Sequence, residues 1–544
     1  MREWGGVITE TNRKWWVLVG VSTLSFLGCI DLTIVNTAAP AIRQELDADV
    51  AQLQLIVNIF IVALSMFMVT AGRLSDLFGR RKVLYIGAGL FGLASLGAGL
   101  ATEIEWLIAF RFLQGAACAV LYTSSSTIVS DAFPEEQRGR AIGALFGVNG
   151  VGLAVGPMLG GFIVGWLDWH WVFWINVPLT AVALLICAFS VRESRGGEDG
   201  ARIDWPGLVL VGLALSGLIF GLTFNDTFGW GSWQVLGPLG VGVVALVLFV
   251  VVERKAEFPI VRFELFRNRL FVSALSADFA LAFFYTLALF LMPLYLSWVR
   301  DYGELTIGLM MLPTTATMAI ASPFVGRLVE RVGPRPLLSF GFAAFALSAL
   351  CQSMLKPDSS LGFVILSFAL MGIGWAFVLG PAAVAALSSV PDRMAGLAVG
   401  STWTFHNFGG AVGLAVGMTV YRSSAEGSLV ENLTARGVET GSWTKEAVTN
   451  PDAALVLLKE HGSITGKEAD DLLDSLFSAG DQAAMWLLAG TSLAALLVIL
   501  LLGRGRGGGA SAEQGPGAAD VPQQSAGAGH AAVPEAEPDV RTPR

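Results

Sequence analysis

The hydrophobic positions of this chain do not alternate with polar ones; they come in long runs. A helix crossing ~30 Å of hydrocarbon needs about 20 mostly apolar residues. On that template the pattern predicts spans near 15–40, 53–72, 83–101, 106–130, 141–166, 172–190, 205–225, 235–252, 270–297, 305–325, 336–354, 361–388, 395–420 and 481–503, fourteen in all. Residues 1–14 are too polar for the apolar core of a signal peptide, so the first span is expected to be retained. Two further regions are polar. Residues 422–480 read as a long acidic outer loop with helical-looking stretches such as KEADDLLDSLF, and 504–544 carry the Gly/Ala/Pro/Gln bias of a disordered tail.

Composition agrees with the pattern. Of the 544 residues, 54% are hydrophobic and only 14% are charged, against about 25% in a soluble protein. The mean hydropathy is +0.65. Cys29, Cys118, Cys187 and Cys351 all fall in apolar spans and read as small buried hydrophobes, not as disulfides or metal ligands. The net charge of −9 argues against a nucleic-acid partner. Lys and Arg concentrate in alternate connections, including Arg73, Arg80, Arg81, Lys82, Arg138, Arg140, Arg327, Arg331 and Arg335. By the positive-inside rule those segments, and both termini, are expected to be cytoplasmic.

The chain also repeats itself. Residues 72–84 read GRLSDLFGRRKVL and residues 326–338 read GRLVERVGPRPLL, with Asp76 opposite Glu330. VGLAVG occurs at 151–156 and again at 412–417. Both echoes fit two parallel six-helix bundles related by an axis along the membrane normal. The expected organisation is a 1–14 N-terminus, a 15–192 bundle, inserted helices in 203–252, a 270–503 bundle containing the 422–480 loop, and a 504–544 cytoplasmic tail.

These motifs carry a resemblance. GRLSDLFGRRKVL resembles the loop between helices two and three of the major facilitator superfamily, and LIAFRFLQGAACA (107–119) its fourth-helix motif. GVGLAVGPMLGG (150–161) resembles the fifth-helix motif of its exporters. GCIDLTIVNTAAP (28–40) and WHWVFWINVP (169–178) are similar to segments of the fourteen-helix drug:H+ antiporter-2 family, which usually has Arg where this chain has His170. The resemblance spans 15–503 and implies a major facilitator fold of two six-helix bundles plus two inserted helices, working as a monomeric plasma-membrane exporter rather than an enzyme.

Each motif also has a physical reading. In the repeated loop Gly72 and Gly79 permit close packing or unusual backbone angles. Asp76 can pair with Arg80, Arg81 or a helix N-terminus as a gate latch, with Glu330 its counterpart; Arg81 and Lys82 read equally well as plain positive-inside anchors. Gly152, Gly156, Gly160 and Gly161 let helices approach closely in lipid, and Pro157 can bend their helix.

Few charges interrupt the spans. A lone charge at mid-bilayer costs about 2.5–3.5 kcal/mol on insertion scales, so it is expected to face a partner or a cavity. Asp31 lies roughly 24 Å past Trp15, and Arg111 roughly 8 Å past Trp106 from the opposite boundary. Their heights match, so they can pair if spans one and four are adjacent. Such a pair is either a fixed helix clamp or a proton-coupling site. Asp278 is a second candidate for protonation, or a residue satisfied by Ser273, Ser276 or water. His406 and Asn407 fall near the midplane beside Trp403, and with Asn36, Tyr122 and Asn149 are the candidates for a substrate cavity.

The expected activity is proton-coupled export of an amphipathic small molecule, with cations among the candidate substrates. The alternatives are export or flipping of an endogenous lipid or secondary metabolite, proton-coupled import, and a non-transporting sensor. No GxxxxGK[ST] segment occurs, so ATP is not the expected energy source, and no cofactor or metal is expected.

Overall fold

A computed structural model of the protein describes residues 8–48, 50–195, 204–224, 228–256, 263–302, 304–391, 394–441, 443–448, 451–462 and 464–503. The expected disordered tail, 504–544, lies outside the described residues, as do the side chains of Asn36 and Pro157. All regular structure among the described residues is helical. The helices are α1 (Arg13–Glu45), α2 (Val50–Phe78), α3 (Arg80–Ala98), α4 (Ile104–Ala132), α5 (Glu135–Trp166), the short α6 (His170–Trp174) and α7 (Asn176–Ser190). They continue with α8 (Trp205–Thr223), α9 (Trp233–Glu253), a 3-10 turn (Phe263–Arg267), α10 (Arg269–Trp298), α11 (Glu304–Val332), α12 (Pro334–Ser353) and α13 (Leu361–Ser388). The last four are α14 (Ala395–Ala435), α15 (Trp443–Ala447), α16 (Pro451–Gly462) and α17 (Lys467–Gly503).

Eleven helices among the described residues are long and apolar enough to cross a membrane, which makes this a multi-pass membrane protein. The other three expected spans, 83–101, 141–166 and 395–420, lie on α3, α5 and α14, which fall outside that count. Aliphatic side chains such as Ile86, Leu93, Val244 and Leu497 remain more than half exposed, as a lipid-facing surface requires.

Helices α1 to α7 pack mainly on one another, with α1 against α5 and α7 and α4 against α2 and α3. Helices α10 to α14 do the same, joined by α17 against α10 and α12. The α8–α9 hairpin rests on α2 and α14. The two groups meet where α5 lies on α11 and α2 on α14.

Small residues explain the closest crossings. A Cβ on Gly152, Gly156 or Gly160 would run into α1 at Phe26, Thr33 or Thr37. A Cβ on Gly409, Gly413 or Gly417 would run into α10 at Phe279, Phe283 or Leu287. The VGLAVG echo thus performs one task twice, each copy seating its helix on the first helix of its own group. Gly161 faces open space instead.

The segment expected as a loop, 422–480, is largely helical. Helix α14 runs unbroken to Ala435, α15 and α16 follow, and α17 already begins at Lys467. Leu429, Leu433, Leu458, Leu472 and Leu476 are buried there, so the acidic stretch contributes an apolar face to the main core.

Candidate functional site

Asp31 and Arg111 form an ion pair in which both side chains are fully buried. The second Asp31 oxygen accepts from Asn176 Nδ2 at 3.0 Å and Gln114 Nε2 at 3.4 Å. Arg111 donates to the Ile56 carbonyl at 3.2 Å and to Gln114 Oε1 at 3.1 Å, and its guanidinium lies 4.3 Å from the centre of the Phe60 ring. Gln114 in turn donates to Ser95 Oγ at 2.8 Å. Five helices therefore converge on one carboxylate: α1, α2, α3, α4 and α7. The charge is buried only because donors surround it.

Sequence reasoning reaches the Asp31–Arg111 pair by depth matching, and Gln114 lies within the fourth-helix motif at 107–119. Asn176 it misses. Its signal was a lone amide between aromatic residues and Pro178 in WINVP, a polar group that an apolar helix start would not otherwise carry.

A second cluster lies between the two groups of helices. Tyr122 on α4 stacks on Trp403 of α14 at 5.0 Å between ring centres, and its hydroxyl is 3.2 Å from Cys29 Sγ. Trp403 meets His406 edge-on at 5.0 Å, and His406 Nε2 is 3.2 Å from the Tyr285 hydroxyl. His406 Nδ1 lies 3.8 Å from Asp278, within ion-pair reach but too long for a hydrogen bond. Asp278, Trp403, Phe146, Ser126 and Thr402 line a small cavity with room for about one water. Asn149 is buried with its Oδ1 unpartnered, whereas Asn407 is half-buried and donates to the Trp403 carbonyl at 3.0 Å. The structure thus joins Tyr122, Trp403, His406 and Asp278, and leaves Asn407 at their edge. Ser273 Oγ has no hydrogen-bond partner among the described residues, so it does not bond Asp278.

The repeated loops meet their counterparts at the arginine-rich end. A Cβ on Gly72 would overlap the Gly396 carbonyl, and one on Gly396 would overlap Gly72, so α2 and α14 touch backbone to backbone. Gly326 and Gly139 do the same for α11 and α5. Asp76 accepts from the Gly396 and Leu397 amides at 3.2 and 3.1 Å. Met394, the residue capping α14, makes no side-chain cap of its own, so Asp76 satisfies that helix start from another helix. Arg80 holds Asp76 at 3.3 Å and also pairs with Asp131. Glu330 accepts from the Arg140 amide at 2.8 Å.

Gly79 has φ +106° and caps α3, where the Glu193 carboxylate accepts from the Arg81 and Lys82 amides at 3.1 and 3.2 Å. The Arg81 side chain donates to Ala188 O and Tyr85 within its own group and does not cross to the other.

One group among the described residues has ligand atoms close enough to hold a metal: Glu45, Asp168 and His170, within 4.8 Å of one another. Its members already bind each other, with His170 Nδ1 2.8 Å from Asp168 and Trp169 donating to Glu45 at 2.8 Å. Burial acts to raise the Asp168 carboxyl, but the His170 hydrogen bonds outweigh it and hold the group below the usual carboxylate range. These contacts tie the end of α1 to the turn before α6.

The profile of the Major Facilitator Superfamily matches residues 21–414. The chain is 30% identical to the tetracenomycin C resistance and export protein of Streptomyces glaucescens, over 95% of this chain and 96% of that one. It is 31% identical to the puromycin resistance protein of Streptomyces alboniger, over 86% and 93%. It is 35% identical to the cephamycin export protein of Amycolatopsis lactamdurans, over 78% and 89%. Among solved structures, the human organic anion transporter MFSD10 superposes with TM-score 0.59 at 15% identity, over 89% of this chain and 99% of that one. The proton:xylose symporter XylE does so with TM-score 0.59 at 13% identity, over 91% and 96%. At such identities these two show the fold alone.

Proposed function

The chain belongs to the major facilitator superfamily, and we propose that it is a proton-coupled antiporter exporting amphipathic antibiotics across a bacterial plasma membrane, with both termini cytoplasmic. Its relatives are drug and antibiotic resistance and export transporters matched over most of their length. The observation that carries the coupling is the fully buried Asp31–Arg111 pair.

A proton reaching Asp31 neutralises it and frees Arg111 from its partner. Arg111 keeps its bonds to Ile56 O and Gln114, so it is not stranded. Asn176 and Gln114 donate to the carboxylate and hold it in place when the proton leaves. Tyr122 touches Cys29, two residues from Asp31, and stacks on Trp403, so loosening around Asp31 reaches the interface between the two groups. Substrate entering beside Trp403, His406 and Asp278 and proton loading on Asp31 then oppose each other, which yields exchange rather than leak. The proton gradient is the energy source in this reading, without ATP, cofactor or metal.

The test is a growth-inhibition panel in an efflux-deficient host, using tetracenomycin C, puromycin and cephamycins. Wild-type protein should raise tolerance to at least one compound, and Asp31→Asn at equal membrane abundance should not. Equal tolerance with the variant would overturn the coupling role of Asp31.

A further inference from the structure

Asp31 and Asp278 are buried acids on the first helix of their own groups, but they are neutralised differently. Asp31 has Arg111, a cation at every physiological pH. Asp278, 4% exposed on α10, has no Lys or Arg within ion-pair reach among the described residues. The basic side chain that reaches it is His406 of α14, itself 4% exposed, with Nδ1 at 3.8 Å. An imidazole cancels a carboxylate only while both its nitrogens are protonated. Without that proton the pair leaves one negative charge inside the membrane, where an uncompensated charge is costly.

The surroundings let the pair change its charge. His406 Nε2 is 3.2 Å from the Tyr285 hydroxyl, which donates to a bare ring nitrogen and accepts from a protonated one, so it satisfies the ring in either state. The other nitrogen, Nδ1, has no hydrogen-bond partner among the described residues and is the one within reach of the carboxylate. The one-water cavity beside Asp278 is also lined by Ser126 of α4 and Thr402 of α14, polar groups enough to hold a water against the acid. The other titratable groups around the pair are Tyr285, Tyr122 and Cys29, all neutral at physiological pH. Helix α13 adds Trp375, stacked on Tyr285, with Leu379 and Ala383, and no charge.

Building on the antiport reading above, we propose that Asp278 and His406 together hold a second exchangeable proton, so that each cycle returns two protons for one substrate. Bound here, the proton sits on His406 and turns a net negative pair into a neutral one. Bound on Asp31, it turns a neutral pair into a net positive one. The two sites therefore answer the same proton with opposite starting charges. Substrate entering beside His406 and Asp278 competes with the second proton directly, whereas its effect on Asp31 passes through Trp403, Tyr122 and Cys29.

The chain has 4 histidines, so the proton can be followed on His406 itself. Full-length protein carrying isotope-labelled histidine is placed in lipid nanodiscs, and the ring-nitrogen signals are followed by magnetic resonance as the pH is lowered. The signal lost in His406→Gln is that of His406. The wild-type ring should gain a proton, and Asp278→Asn should require a pH lower by roughly one unit or more, because burial without the carboxylate disfavours the imidazolium. A ring that titrates alike in both proteins would overturn the proposal. If Asp278→Asn does not stay monodisperse, a wild-type ring still neutral at about pH 5 is the contrary result. This measurement needs no substrate, so its failure is distinct from failure of the export reading. Stoichiometry is read in everted vesicles with the membrane potential collapsed, using the compound exported in the growth panel. Its limiting accumulation should rise about a hundredfold per pH unit of imposed gradient with wild-type protein and about tenfold with Asp278→Asn, each coupled proton giving a factor of about ten. A tenfold rise with the wild type would overturn the second proton, whether or not the variant transports.

Discussion

At the scale of the residue, the decisive fact is that Asp31 is buried with its partners arranged around it. Removing one member of a buried pair costs about 3–5 kcal/mol, because the other charge is stranded. Arg111→Leu should therefore lower thermal stability sharply and reduce membrane abundance. Adding Asp31→Asn to it should restore abundance but not transport, a comparison read by melting curves and a transport assay on the same preparations. A hydrogen bond to a charged group contributes about 1.5–3 kcal/mol. Asn176→Ala should thus slow proton-coupled exchange roughly tenfold while leaving the protein folded; unchanged exchange would remove Asn176 from the site. The Asp31–Arg111 pair was legible from helical rise and span boundaries alone. Asn176 was not, since its contact with Asp31 depends on how α7 packs against α1, which spacing along one helix does not encode.

Elements tell a second story, that of glycine stripes. Gly156→Leu should abolish transport without preventing insertion, since any side chain there meets Thr33 and the Ile30 carbonyl. Gly413→Leu should behave alike, because its counterpart contact is the Phe283 backbone. Gly161→Leu, one position past the stripe, has open space and should transport normally. Glycine content could be read from the sequence, but which glycines face a helix and which face outward follows from the crossing of α5 over α1. The acidic 422–480 stretch misled for a related reason. Its charges suggested a loop, whereas its leucines at helical spacing, Leu429, Leu433 and Leu472, Leu476, are buried in the main core.

For the whole molecule, the repeated loops hold one end of the two groups together. Asp76 caps α14 and Glu330 bonds the start of α5, so each copy reaches across to the opposite group. Asp76→Asn with Glu330→Gln should leave that end open more often. Cysteine probes placed there should label faster and transport should slow; labelling unchanged from wild type would contradict a latch. The repeat made both acids visible in advance, while the helix start that receives Asp76 required the fold. Coupling of proton to substrate is a property of this whole assembly, and everted vesicles holding a pH dye test it most directly. Once a respiratory proton gradient is established, adding a compound active in the growth panel should partly collapse the gradient with wild-type protein and leave it intact with Asp31→Asn. Equal collapse in both would contradict the assignment of Asp31 as the proton carrier.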